Sequence, residues 1–264
     1  MTHEVLAIRY ATLQSRKRDL FLRYETYGEL DGEELVEMAY YFWVLRSAQS
    51  TIVVDTGYAP AVGARRGRTL RCDPLDAVRA IGVDPHAVET VIVTHFHYDH
   101  VGNLGAYPNA TLVVPRRELD FWTGPLAARE QFGAHVEADE IAAIAAADRA
   151  GRVRSTDGDE EVAPGVTAIT VGGHSPGQQL IRVAAAGGEV VLASDAVHFY
   201  EELELDRPFG VIADLGEMYA TYDLLKEYAA AGATVVPGHD PEVLARFPVA
   251  GADGNAVRLD NFVN

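Results

Sequence analysis

Between residues 95 and 100 the chain reads His95-Phe96-His97-Tyr98-Asp99-His100, directly after the run Val91-Ile92-Val93-Thr94. Four metal-capable side chains stand in six positions. Imidazole nitrogen and carboxylate oxygen suit zinc, and also iron, nickel or manganese. In extended chain His95 and His97 project to one side, because side-chain direction repeats every two residues. Asp99 and His100 fall beyond the strand end, where the chain turns, and can face a second ion. One short segment can therefore offer two ligands to each of two neighbouring metals. Two divalent ions about 3.5–4 Å apart lower the pKa of a water between them from roughly 15.7 towards neutrality and polarise a carbonyl. Hydrolysis without a protein nucleophile is the chemistry open to such a segment. The plainer alternative, a polar turn that happens to be rich in histidine, fits so dense a cluster poorly.

Further ligands recur in one pattern. His174 lies in Gly172-Gly173-His174-Ser175-Pro176-Gly177, after the alternating run 166–171. Asp195 ends the run 189–195, and His239 follows Thr234-Val235-Val236-Pro237-Gly238. Each is a short β-branched strand followed by a small-residue turn that carries a ligand-type residue. Loops at the ends of rigid strands are where sites are built. Any one of these residues would pass as an ordinary loop residue; the repetition at four strand ends makes the case for a metal centre. His3, His86 and His135 have no such context and are expected to be structural or surface residues.

The elements that must position these residues follow from periodicity. Strands are expected at 4–13, at 39–46 and 51–55 as a hairpin around Ser47-Ala48-Gln49-Ser50, at 91–94 and at 111–114. More are expected at 152–155, 166–171, 178–185, 189–194 and 234–236. Helical spacing covers 74–81, ending at Gly82 as a C-cap, and then 97–104, 116–122, 136–149 and 217–231. Strands followed by helices, twice over, suggest two sheets face to face with helices outside, but periodicity alone predicts only a mixed α/β class. One domain over 1–264 is expected, with no repeat or low-complexity linker.

Composition narrows the function. A hydrophobic content of 48% is ordinary for a globular protein. The longest apolar runs, 39–45 and 141–147, are too short to span a membrane. No basic region leads into an apolar stretch at the N-terminus, so no secretory signal is read. Cys72 stands alone, which excludes an internal disulfide and predicts a reducing, cytoplasmic setting. The net charge of −17 argues against a nucleic-acid partner, since phosphate contacts want basic surface. Whether the chain is a monomer or a homodimer is open at this point, and residues 39–42 could be core or an interface.

The His-x-His-x-Asp-His segment, then Gly-Gly-His, Ser-Asp and Pro-Gly-His in that order, resembles the metallo-β-lactamase fold hydrolases. The spacing is most similar to the N-acyl-homoserine lactonase and 4-pyridoxolactonase-like branch. The resemblance runs from Asp55-Thr56-Gly57 to His239 and implies an αββα sandwich. It implies that His95, His97 and His174 hold one metal and Asp99, His100 and His239 the other, with Asp195 bridging. Zinc is the first choice, with iron, manganese or nickel as alternatives. It also implies a small lactone or ester substrate and a second duty for Asp99, as the acid that protonates the leaving alkoxide. Asp55 could orient a ligand imidazole from behind, or could simply form an Asp-Thr-Gly turn.

One position departs from that branch. A Tyr commonly stands three residues after the bridging Asp and binds the substrate carbonyl; here the place is held by His198. Neutral His can donate a hydrogen bond, though its ring is shorter and titrates near neutrality. Tyr200 is the other candidate for that duty. The departure widens the substrate class from acyl-homoserine lactones to aromatic lactones such as 4-pyridoxolactone.

Two further segments are candidates for shaping the pocket. The basic stretch containing Arg65, Arg66, Arg68 and Arg71 could be solvated or could capture a substrate carboxylate, with Arg65 and Arg68 foremost. Phe121, Trp122 and Phe132 could cap an acyl chain, stack on a ring, or belong to the core. The expectation is a dinuclear metal hydrolase, a lactonase. The alternatives are a thioester, ester or amide hydrolase of glyoxalase II type on the same metal core, or a non-catalytic metal-binding module.

Overall fold

The β-branched runs become strands of two sheets in the computed structural model, which describes residues 1–28, 32–251 and 254–260. The remaining positions of the expected 1–264 domain lie outside the described residues. Among the described residues the larger sheet has nine strands. Its path runs Val249–Ala250, Ala256–Arg258, Glu4–Arg16, Leu35–Arg46, Thr51–Val54, Thr90–Ile92, Thr111–Pro115 and Val153–Thr156, with Thr69–Leu70 paired beside Glu4–Arg16. The smaller sheet runs Thr234–Pro237, Gly188–Ser194, Gln179–Ala185, Val166–Thr170 and Asp159–Ala163.

The sheets pack face to face through Ala7, Tyr41, Trp43, Ile52 and Val54 of one and Ile181, Val183, Val190, Leu192 and Val236 of the other. Tyr40 and Phe42, pointing the opposite way, join a second core beneath the helices of the larger sheet. Residues 39–45 are thus core on both faces of a central strand, all at most 1% exposed. A strand covered on both faces reads as an unbroken apolar run, which is why periodicity alone left core and interface open there. Each large side chain so buried contributes roughly 1.5–3 kcal/mol by leaving water. Helix Leu215–Ala230 covers the outer face of the smaller sheet with Met218, Tyr222 and Leu225, completing the αββα layering.

Parallel pairing sets the stage for the site. Thr51–Val54, Thr90–Ile92 and Thr111–Pro115 run parallel, as do Gly188–Ser194 and Thr234–Pro237. Parallel neighbours end at the same edge of a sheet, so the turns that follow them converge. The hairpin at 47–50 forms with Arg46 opposite Thr51. Helix Pro74–Ala80 starts with Pro74 after Asp73, whose carboxylate accepts from Leu75 N at 2.8 Å.

Three differences from the expected elements have local causes. The helix expected over 97–104 is only Tyr98–Val101, followed by a separate turn at Leu104–Ala106. Gly102 lies so close to Tyr58 that a Cβ there would fall 2.6 Å from its Cα, and Asn103 Nδ2 donates to Thr56 O at 2.8 Å, which pulls the chain out of the helix. Strand Asp159–Ala163 was missed because its acidic residues carry little β-propensity; its partner Val166–Thr170 supplies the apolar contacts. The pair Val249–Ala250 and Ala256–Arg258 is too short to show a period. No helix among the described residues is long and apolar enough to cross a membrane.

Candidate metal centre

All seven predicted ligands sit at strand ends and are buried, none more than 6% exposed. His95, His97, His174 and Asp195 form one group in which every candidate donor atom lies within 4.8 Å of the others. Asp99, His100, Asp195 and His239 form a second. Asp195 belongs to both and divides its oxygens between them. Oδ2 lies 3.4 Å from His174 Nε2 and 3.8 Å from His95 Nε2, while Oδ1 lies 3.2 Å from His100 Nε2 and 3.0 Å from His239 Nε2. Tetrahedral ligands at roughly 2.0–2.1 Å from an ion stand about 3.3–3.5 Å apart, so the spacing matches two adjacent ions. Among the described residues, the Nε2 atoms of His95 and His100 are buried and meet no partner at hydrogen-bonding geometry. Such groups are rare in folded proteins unless something else takes their lone pair. The donor set fits a pair of divalent metal ions.

The other ring nitrogens explain why these atoms point inward. His174 Nδ1 donates to Val211 O at 2.9 Å and His239 Nδ1 to Ala39 O at 2.7 Å. His100 Nδ1 lies 2.8 Å from Asp55 Oδ2, and His95 Nδ1 lies 3.1 Å from Thr94 Oγ1. Each contact fixes a tautomer whose lone pair is on Nε2. Asp55 also accepts from Thr94 N and Thr94 Oγ1, both at 2.8 Å. Its φ of 60° and the φ of 48° at Ser194 place two non-glycine residues in the left-handed region at the ends of facing strands. Strain of this kind persists where surrounding contacts over-determine the backbone, as the Thr94 Oγ1 to Ser194 Oγ contact at 2.9 Å does here.

Charge follows the same division. Burial, then repulsion from His100 and His97, holds His95 well below the usual imidazole range; burial and His174 do the same to His97. Burial also holds His174 low. Neutral imidazole is the form that ligates. For His100, burial pushes down but Asp195, Asp55 and Asp99 outweigh it and hold the ring well above that range. Burial would raise the Asp195 carboxyl, yet His239, His100 and His198 hold it well below the usual range.

His198 is buried at the edge of the first group, its Nε2 3.3 Å from Asp195 Oδ2. Its ring stacks on Phe209 at 3.6 Å between centroids. Behind it stands Glu202, whose Oε1 lies 3.3 Å from His198 Nδ1 and accepts from the backbone N–H groups of His198 at 2.6 Å and Phe199 at 2.9 Å. Tyr222 OH donates to the other carboxylate oxygen. Burial pushes the His198 ring down, but Asp195 and Glu202 lift its pKa to about 9.

The structure separates the remaining candidates. Arg68 lines a cavity of ≈ 230 Å³ shared with Asp99, His97, Asp195 and His198. It donates from Nε to Tyr98 OH at 2.9 Å. Arg65 does not reach the cavity: it pairs with Glu137 at 2.8 Å, and Arg66 stacks 4.0 Å over Tyr98 while bonding Glu137, Ala134 O and Val136 O. Arg65 and Arg66 are therefore a clamp on residues 134–137, while Arg68 faces the cavity and Arg71 lies 3.6 Å from Glu37. Tyr200 is also outside the cavity. Its backbone N–H donates to Asp240 at 2.9 Å and Arg246 covers its ring at 3.5 Å, on an outer cleft. Trp122 and Phe132 line a second cavity of ≈ 170 Å³ next to His97 and His174; Phe121 packs behind them at 5.0 and 4.9 Å.

Three residues were not found from the sequence. His135, expected to be structural or on the surface, lies 5.3 Å from the His97 ring and lines both cavities. Glu202 and Glu118 are fully buried carboxylates behind the ligands. A Glu with a Trp four positions on, in a helix just after a strand, was the available signal for Glu118: the pair shares one helix face. For Glu202 the signal was its place early in helix Tyr200–Leu205, four positions after His198, where its carboxylate closes back on the His198 and Phe199 backbone N–H groups; nothing local marks His135.

Comparison with known proteins agrees with this geometry. The profile of the Metallo-beta-lactamase superfamily matches residues 37–239. The chain belongs to that superfamily. It is 30% identical over 187 residues to the N-acyl homoserine lactonase AttM of Rhizobium radiobacter, covering 67% of each chain. It is 25% identical over 191 residues to the N-acyl homoserine lactonase AiiA of Bacillus thuringiensis subsp. kurstaki, covering 67% of this chain and 71% of that one. A crystal structure of a quorum-quenching N-acyl homoserine lactone lactonase superposes with a TM-score of 0.72 at 23% identity, over 92% of this chain and 94% of the other. AidC, a dizinc quorum-quenching lactonase in complex with a product, superposes with a TM-score of 0.72 at 17% identity, over 98% and 95%. At these identities the structures establish the shared fold.

Proposed function

We propose that this chain is a dinuclear metal hydrolase that opens the ring of a small lactone, with zinc as its metal. The observation that carries the reading is Asp195, whose two buried oxygens face His174 Nε2 on one side and His239 Nε2 on the other, in two separate groups of ligand-type side chains. Similarity to N-acyl homoserine lactonases supports the lactone as substrate. When bound, the two ions supply a water of lowered pKa and polarise the carbonyl.

The side chains do the rest. Asp99 Oδ2 lies 3.8 Å from His100 Nε2 and 3.9 Å from His239 Nε2, and Asp99 lines the cavity. We assign it two roles, as a ligand and as the acid that hands a proton to the leaving alkoxide. Asp55 holds His100 in its ligating tautomer. His198, braced by Glu202, holds Nε2 beside Asp195 at the cavity, and we assign it as the donor to the substrate carbonyl. Arg68 with Tyr98 forms the polar wall, and Trp122 and Phe132 form the apolar wall of the adjoining cavity. We further propose one domain spanning the chain, a cytoplasmic setting suited to the lone Cys72, and no nucleic-acid partner given the net charge of −17.

The test is turnover of a lactone panel by the metal-reconstituted protein beside an EDTA-treated control. The panel pairs short- and long-chain acyl-homoserine lactones with aromatic lactones, including 4-pyridoxolactone, and follows acid release. Metal-dependent opening of one class is expected. Two bound metals with silence across the panel would instead favour another ester, a thioester or an amide.

A further inference from the structure

We propose that Glu118 is the positioning residue of the first ligand group: a buried anion that fixes His95, His97 and His174 relative to one another and so sets the metal affinity of that half of the centre. The inference rests on the dinuclear reading above.

Glu118 lies in helix Arg116–Trp122, which follows strand Thr111–Pro115, and is 0% exposed. Its Oε2 accepts from Phe96 N at 2.9 Å and Trp122 Nε1 at 2.7 Å. Its Oε1 accepts from Ser175 Oγ at 2.8 Å and Gly177 N at 2.6 Å. Phe96 separates His95 from His97, and Ser175 follows His174. One carboxylate therefore ties together two loops that come from different sheets and carry all three imidazoles of the group. Three of its four partners are N–H groups that cannot reverse, which matches an ionised carboxylate. Burial raises the carboxyl above its usual range, and the hydrogen bonds of Gly177, Phe96, Ser175 and Trp122 offset only part of that rise.

The surroundings are built for this contact. A Cβ at Gly177 would meet Glu118 N at 2.5 Å, so only glycine lets the 174–177 turn reach the helix. The Trp122 indole that donates to Glu118 also stands edge-on to His97, 5.9 Å between centroids. The second ligand group makes no use of Glu118: His100 is held by Asp55 and His239 by Ala39 O. Its influence should be confined to one ion.

Glu118→Gln tests this, because an amide must turn N–H towards at least one fixed N–H donor. Zinc affinity is read by competition with a chromophoric chelator in two backgrounds. His239→Ala disables the second group and His174→Ala the first. Glu118→Gln is expected to weaken zinc roughly ten- to hundredfold in the His239→Ala background and to leave the His174→Ala background unchanged. Equal weakening in both, or none in either, overturns the proposal. Circular dichroism checks folding. If Glu118→Gln does not fold, Ser175→Ala removes one donor and keeps the carboxylate; a smaller loss confined to the first group supports the proposal, and a shared or absent loss overturns it. A wild-type chain that binds no zinc would remove the dinuclear reading itself. Two ions bound equally well with and without Glu118 would remove this inference alone.

Discussion

The two ligand groups share Asp195 but are held from behind by different means. In the first, Glu118 holds the backbone N–H groups of Phe96 and Gly177 and the Ser175 hydroxyl, between and beside the ligands, and among the described residues its hydrogen bonds reach no imidazole. In the second, Asp55 acts on the imidazole itself, 2.8 Å from His100 Nδ1, and also anchors Thr94 just before the ligand segment. One brace sets distances between rings; the other sets a tautomer. The difference follows from topology. His95–His97 and His174 come from separate sheets and need a tie between loops, whereas Asp55 and His100 follow parallel neighbours in one sheet.

Asp195 is where the comparison should vanish. Asp195→Asn removes a charged ligand from both groups at once, so both ions should weaken together. Turnover should fall by more than the roughly 10²–10³-fold that one lost electrostatic stabiliser costs. Metal analysis after dialysis checks it; loss of only one ion would show that the carboxylate does not bridge. Asp99→Asn separates the groups. The second group loses a charged oxygen and the leaving group loses its acid, so kcat should drop about 10²–10⁴-fold while the first group keeps its ion. A poorer leaving group should widen the deficit, and a uniform deficit across leaving groups would assign Asp99 to ligation alone. Smaller again is Asp55→Asn, expected to weaken the second ion roughly ten- to hundredfold. Added zinc should restore kcat, whereas it cannot for Asp99→Asn. The same zinc titration run on both variants decides between them.

How much of this was legible depends on where the partner of each residue lies. The candidate ligands could be picked out because each group follows a β-branched run and ends in a small-residue turn, the same pattern at four strand ends. Asp55 could be suspected for the same reason. The basic stretch stayed open in the sequence because Glu137, the partner of Arg65 and Arg66, is 72 positions from Arg65 and no local pattern links them. Tyr200 lies two residues beyond His198, but helix Tyr200–Leu205 starts there and turns its ring outward to Arg246. Glu118 meets Ser175 across 57 positions, through a sheet order that strand periodicity does not disclose. Residue type and spacing point to candidate ligands and to a brace at a strand end such as Asp55; a brace such as Glu118, which acts between the sheets, becomes visible only once the topology is known.

The smallest expected effect concerns a carboxylate near the centre that has no brace. Glu140, half-buried on helix Ala138–Arg149, leaves Oε2 without a hydrogen-bond partner among the described residues. Burial, then Glu137 and Asp99, push its pKa from 4.5 up to about 8. The folded state therefore holds a proton that the unfolded state releases, and stability falls as pH rises from about 4.5 to 8. Glu140→Gln should match the parent at pH 4 and exceed it at pH 8. After screening of this partly exposed group, the gain is about 1 kcal/mol, or roughly 2–4 °C in Tm. Asp99 is one source of the shift, and ions bound beside it would cancel part of its charge. Melting curves of EDTA-treated and zinc-loaded protein should then show a larger gain in the former. Equal gains would mean that Glu137 and burial account for the shift, with no coupling to the second ligand group.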